Sequence, residues 1–170
     1  ARHNYEVAYG LRDSEVILAL RDFQKARAME PTRRVYEREG NAYIALGAYD
    51  EAKAAFRKAL ELDQPKPHWS LIGLSRVERI LGNYDAAMAH LDELLRVRGA
   101  DGGTMPIYFH RAWVLYLKGD DAGAADAITK GLASQPDYAG AHQQRACAYA
   151  RLGEFAKAKA DIEYAIKLLR

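Results

Sequence analysis

Cysteine is nearly absent from the 170-residue chain, which carries Cys147 alone. A disulfide framework within the chain is therefore excluded. Long apolar runs are missing too: the longest, Ala112 to Leu117, is far shorter than the roughly 18 residues of a membrane span. Charge of one sign is also scarce. Basic and acidic side chains number 25 and 23, a formal charge of +2. That near balance argues against a protein held on nucleic acid mainly by a broad electrostatic field. No charged-then-apolar leader opens the chain, and its first residue is Ala1, so it reads as a mature or excised product. Cytoplasmic and bacterial periplasmic placements are both compatible. The composition, 49% hydrophobic, is enough for one domain or one array of repeats with a real core.

Internal repetition is plain. Four segments share one skeleton, beginning at Gly40, Ser75, Ala112 and Ala146, with aligned Gly47, Gly82, Gly119 and Gly153 spaced by 35, 37 and 34 residues. A weaker copy opens the chain: Ala19, Phe23 and Ala26 align with Ala52, Phe56 and Ala59, but Ser14 stands where the others have glycine. The spacing predicts units 1–32 (degenerate), 33–67, 68–104, 105–138 and 139–170, as a single array.

Each unit reads as two helices, because small and apolar residues recur at three- and four-residue steps on both sides of the glycine. No segment alternates with period two, so no strands are expected. The glycine ends the first helix in a left-handed turn, and Asp50, Asn83, Asp120 and Glu154 favour the start of the second. Gly40, Ser75, Ala112 and Ala146 form one small column, and Ala52, Ala87, Ala124 and Ala158 another. Phe56, Leu91, Ile128 and Ile162 are expected to fill the space toward the neighbouring pair. Such pairs bury their second apolar face only by stacking on one another.

The column of small residue, aromatic, glycine, aromatic, alanine, large apolar and alanine is carried by Gly40, Tyr43, Gly47, Tyr49, Ala52, Phe56 and Ala59, with Gln64–Pro65 behind it. It resembles the tetratricopeptide repeat over nearly the whole chain. The resemblance implies an all-α, right-handed α-solenoid of tetratricopeptide helix-turn-helix repeats, working as a non-enzymatic scaffold. Departures are Glu78 in the column of Tyr43, Leu94 and Gly131 in that of Ala59, and Asp121 in that of Tyr49. The cluster Gly99 to Gly103 reads as an extended connection, and it lacks the lysine and spacing of a phosphate loop.

In this family the first helix of each pair lines the concave surface. Registering the copies gives inward positions Arg34, Glu37, Arg38 and Asn41, then Trp69, Ile72, Arg76 and Arg79. The later copies add Phe109, His110, Trp113 and Tyr116, then Gln143, Gln144, Cys147 and Arg151. Five arginines against one glutamate make this expected groove basic, with an aromatic middle. It suits a protein or extended peptide bearing carboxylates and an apolar anchor. Some members grip the acidic C-terminal peptide of heat-shock chaperones. That clamp is broken here by Glu37, Gly73, Pro106 and His110, with Asn41 its one match.

Other chemistries find little support. His3, His68, His90, His110 and His142 lie in different units with no metal-ligand spacing, and Asp92–Glu93 and Asp120–Asp121 are sequence neighbours whose side chains diverge on a helix. No catalytic residues, metal or cofactor are expected. A single-stranded RNA reader of the helical-repeat type is the alternative the aromatic and arginine content permits, but the inward columns show no regular base code. A scaffold module of a bacterial envelope or polysaccharide-export complex is an alternative by analogy. Ile162, Ile166 and Leu169 leave the last helix with an apolar stripe, which reads as a longer array or a surface for self-association.

Overall fold

The computed structural model describes residues 13–62, 69–98 and 105–170, and every regular element among them is an α-helix. In order these are α1 (Asp13–Met29), α2 (Arg33–Leu46), α3 (Tyr49–Leu62), α4 (Trp69–Ile80), α5 (Tyr84–Arg98), α6 (Met105–Lys118), α7 (Asp121–Leu132), α8 (Ala139–Arg151) and α9 (Phe155–Leu168). The expected first helix of the opening copy, His3, Gln64–Pro65, His68 and the cluster Gly99 to Gly103 lie outside the described residues. The chain forms two compact units, one ending at Val97 and the other starting at Arg98. In the first, α2 packs against α1, α3 and α4; in the second, α8 packs against α6, α7 and α9.

The helices reverse where the aligned glycines stand. Gly47, Gly82, Gly119 and Gly153 have φ of 73, 82, 85 and 76°. That is the left-handed region, which costs a residue with a Cβ about 1–2 kcal/mol. The same pair of bonds closes every turn: Gly47 N–H donates to Ile44 O (3.1 Å) and Ala48 N–H to Tyr43 O (2.9 Å), and Gly119 and Asp120 repeat this on Tyr116 O and Leu115 O. Carbonyls left over at the helix end are thereby satisfied. Of the expected capping residues, Asp120 accepts from Gly123 N–H at 2.8 Å. Glu154 occupies the cap position of α9 without a side-chain cap bond, and the Asn83 amide donates instead to Glu78 Oε2 at 2.8 Å.

Both small columns are buried, and their size follows what faces them. Phe56 is buried between two glycines: a Cβ on Gly40 would lie 2.7 Å from its ring, and one on Gly73 would lie 2.3 Å away. The largest member of its column therefore demands glycine on the helix it pairs with and on the next helix, α4. Where Leu91 and Ile128 replace it, Ser75 and Ala112 suffice. Gly131, which departs from the alanine of Ala59, has an equally local reason, since a Cβ there would meet Met105 Sδ at 2.6 Å.

Two expectations are corrected. Ile162 does not fill a space against a neighbouring pair: it is 40% exposed where Ile128 is 0%, because no further described helix packs on that face of α9. Phe155, Ile166 and Leu169 share the exposure. Ser14 lies inside α1, not in a turn, so the opening copy does not place its helix start where the glycine alignment does. Consistent with that slippage, Ala19, Phe23 and Ala26 are only partly buried, unlike Ala52, Phe56 and Ala59.

Candidate functional site

The residues expected to face a groove divide between the two units. In the first they come from α2 and α4. Arg34, Arg38 and Asn41 are exposed on α2, and Trp69 opens α4 at 53% exposure. Asn41 is held from both sides: its amide nitrogen donates to Glu37 O at 3.0 Å, and its Oδ1 accepts from Arg76 Nη1 at 2.9 Å. This fixes the Arg76 guanidinium beside α2. Burial, and then the charge of Arg79, lowers the Arg76 pKa to about 10; burial likewise pulls Arg79 below its ordinary value. With a value of about 10, Arg76 is still cationic at neutral pH.

Two inward assignments in this unit are corrected. Glu37 is buried, where its Oε1 accepts from Ser70 Oγ at 3.0 Å, and Ile72 is buried in the core. A helix turns about 100° per residue, so the inward face is narrower than the run of positions expected on it. The α4 carboxylate Glu78, which replaces an aromatic, is satisfied by Asn83 and by Lys53 of α3 at 3.7 Å.

In the second unit α6 and the start of α8 gather aromatic rings. Phe109 is met edge-on by His110 (5.7 Å between centroids), Trp113 (6.0 Å) and Tyr138 (5.7 Å). Each such pair contributes about 0.5–1.5 kcal/mol beyond area burial, so the cluster is preformed. Trp113 is 41% exposed, and Tyr138 is also exposed. Tyr138 was not among the expected residues. It precedes α8 as its N-cap, outside the helical register from which groove positions were read.

Arg151 joins this unit differently from expectation. Its Nε lies 3.1 Å from Asp121 Oδ2, its Nη1 donates to Tyr116 O at 3.2 Å, and its guanidinium stands 4.3 Å from the Tyr116 ring centroid. The bond to Tyr116, against some burial, raises its pKa, helped by Asp121. Arg151 and Tyr116 thus fasten α8 to α6, while Arg34, Arg38, Arg76 and Arg79, the other arginines expected on the inward face, belong to the first unit. Gln144 is half-buried with its Oε1 accepting no bond among the described residues, Gln143 is exposed, and Cys147 is an exposed free thiol.

Behind the aromatic cluster lies a buried polar network. Arg145 grips Asp161 of α9 through Nε (2.8 Å) and Nη2 (2.7 Å), and reaches Thr129 Oγ1 of α7 at 3.0 Å. His142 places Nδ1 3.1 Å from Asp161 Oδ1 and Nε2 2.8 Å from Pro136 O. Burial opposes ionisation of Asp161, but hydrogen bonds from Arg145 and His142 outweigh it and hold the carboxyl below its ordinary value. The adjacent acids have separate uses: Asp120 caps α7 and Asp121 binds Arg151, while Glu93 pairs with Arg96. No group of histidine, cysteine or carboxylate side chains among the described residues is disposed to hold a metal, and no described helix is long and apolar enough to cross a membrane.

A family model described as tetratricopeptide repeat matches residues 34–66 and 139–168, and a second with the same description matches residues 73–139. Superkiller complex protein 3 of Mus musculus is 30% identical over 91 residues, 53% of this chain. The chain spans about 6% of the length of that relative, and of its Homo sapiens counterpart. Among solved structures, MamA superposes with a TM-score of 0.69 at 18% identity, covering 91% of this chain and 89% of that one. YrrB, described as a TPR protein with an unusual peptide-binding site, gives 0.61 at 23% identity, covering 91% and 78%. The Cut9–Hcn1 hetero-tetramer of the APC/C gives 0.79 at 20% identity, covering 91% of this chain and 31% of that one. At these identities the structural likeness speaks to the fold alone.

Proposed function

Because this chain belongs to the tetratricopeptide repeat family, an all-α solenoid of helix-turn-helix repeats that serves protein interaction, we propose that it is a docking platform for an acidic peptide segment of another protein. Each unit offers its own surface. The first, with Arg34, Arg38, Asn41 and Arg76, and with Trp69 and Arg79 on α4, suits carboxylates, and the second, with Phe109, His110, Trp113 and Tyr138, suits an apolar side chain.

The observation that carries the proposal is the preformed ring cluster with two exposed members. Aromatic anchors lose little rotamer entropy on binding, and water-exposed rings already braced by neighbours need no reorganisation. The arginines add charge complementarity, which steers encounter and fixes register. YrrB, similar in fold, is described as having a peptide-binding site, and Cut9 and Superkiller complex protein 3 are named as members of assemblies. These parallels support the same reading.

Fluorescence anisotropy with fluorescein-labelled, Asp-rich octapeptides carrying one central leucine, phenylalanine or tyrosine tests it. Arg76→Ala should weaken peptide binding at the first unit and Trp113→Ala at the second, each roughly tenfold, while leaving the helical circular dichroism intact. Wild-type affinity in both variants would overturn the proposal. So would failure of every peptide alongside tight, steeply salt-dependent binding of mixed single-stranded RNA.

A further inference from the structure

The short connection between α7 and α8 carries Tyr138 to the exposed ring cluster, and three successive residues of it are held in place. Pro136 O accepts from His142 Nε2 at 2.8 Å. Asp137 Oδ1 accepts from Tyr164 Oη at 2.9 Å, and the Tyr164 ring stands 4.7 Å from that of His142. Tyr138 itself accepts through its carbonyl from Ala141 N–H at 3.0 Å, and places its ring 5.7 Å from Phe109.

The restraint on Pro136, and through the Tyr164 ring that on Asp137, lead back to a buried post. His142 is 8% exposed, so it does not lie on the docking surface. Its other nitrogen faces Asp161, which Arg145 locks in two places while also holding Thr129 of α7. The connection is therefore tied at Pro136 to a network that spans α7, α8 and α9, and Tyr138 stands two residues beyond that tie.

We infer that His142 is a positioning residue for the aromatic docking surface: by binding Pro136 O from its seat on Asp161, it sets the Pro136–Tyr138 connection so that Tyr138 lies against Phe109. The inference deepens the peptide-docking reading and rests on it for its consequence, though the geometry it describes exists without any ligand. A preset ring spares the ligand the cost of ordering it, so loss of the tie should appear as loss of affinity through Tyr138 and nowhere else.

Two measurements on the full chain separate this inference from the reading beneath it. With aromatic-labelled protein, nuclear Overhauser effects between the Phe109 and Tyr138 rings should be present in wild type and lost in His142→Phe, while those between Phe109 and Trp113 persist. His142→Gln, whose amide can still donate to Pro136 O, should restore them in part. Phe109–Tyr138 effects unchanged in both variants would overturn the inference whatever the peptides do.

The second measurement is a double-mutant cycle read with the leucine-bearing Asp-rich octapeptide. His142→Phe should weaken binding roughly fivefold in the wild-type background and not at all in a Tyr138→Ala background. An equal loss in both backgrounds would also overturn it, showing that His142 acts by some route other than Tyr138. Should no octapeptide bind wild type, the docking reading fails and the ring-to-ring effects alone decide the position of Tyr138.

Discussion

Substituting Gly73 by alanine is the sharpest probe of how neighbouring hairpins fit. In a helix interior the change favours folding by about 1 kcal/mol through backbone entropy. Here the new Cβ would lie 2.3, 2.4 and 2.6 Å from three carbons of the Phe56 ring. Gly40 crowds the same end of the ring, since a Cβ there would lie 2.7 Å from it, so the ring has little space into which to shift. Overpacking should therefore fall at the upper end of its range, about 3 kcal/mol, for a net loss of about 2 kcal/mol. Phe56→Leu alone should cost about 1–2 kcal/mol through the volume it vacates. The double variant should do better than Gly73→Ala alone and lie within about 1 kcal/mol of wild type, because the alanine methyl enters the space the ring leaves. Urea denaturation followed by circular dichroism reads all four proteins. Additive losses, summing to about 3–4 kcal/mol in the double variant, would refute the packing of Phe56 between Gly40 and Gly73.

The remaining expectations are simpler. Gly119→Ala should cost about 1–2 kcal/mol from its left-handed backbone alone, since nothing lies within 4 Å of the added methyl; an unchanged urea midpoint would contradict it. Ile128→Ala should cost about 2–4 kcal/mol and Ile162→Ala under about 1 kcal/mol, although the two share a column; equal costs would mean that α9 is covered in solution. The depressed Asp161 pKa contributes stability that is complete above its ordinary value of 3.8 and is lost as pH falls through the lower folded value, so Asp161→Asn should flatten the acid limb of a stability–pH curve. Glu39 works in the opposite sense: burial raises its pKa against the pull of Arg27, so its ionisation costs stability as pH rises from 4.5, and Glu39→Gln should remove that decline.

Much of the fold was legible because repetition turns one chain into several aligned observations. Four glycines at near-equal spacing name the turns, and the two small columns name the faces that touch. Pairwise fit was less legible. That Phe56 requires glycine at 73 as well as at 40 depends on the distance between two helices from different hairpins, which no single column records. The same holds for Gly131 under Met105. Ile162 shares the column of Ile128, but a column does not record whether a further helix covers it. For the candidate site, registering the copies located the arginines and the rings of α6, but a groove face is only a few residues wide. Glu37 and Ile72, placed on it by register, are buried instead, and with about 100° between successive residues a small error in register is enough to do this. Tyr138 precedes its helix and so lies outside the helical register, and the members of the His142–Asp161–Arg145 network, unremarkable singly, meet only when α8 and α9 pack.

The chain has two tryptophans, and each unit holds one of them on its candidate surface: Trp69, 53% exposed, in the first and Trp113, 41% exposed, in the second. Their indole N–H resonances are therefore separate reporters of the two surfaces. Titration of nitrogen-15-labelled protein with the Asp-rich, leucine-bearing octapeptide should shift both indole signals progressively and to saturation, with the backbone signals around Arg76 and Phe109 moving alongside. Saturable shifts confined to other faces, such as the exposed stripe of α9, or no shifts at all at millimolar peptide, would contradict the claim that these surfaces are where the protein docks its partner.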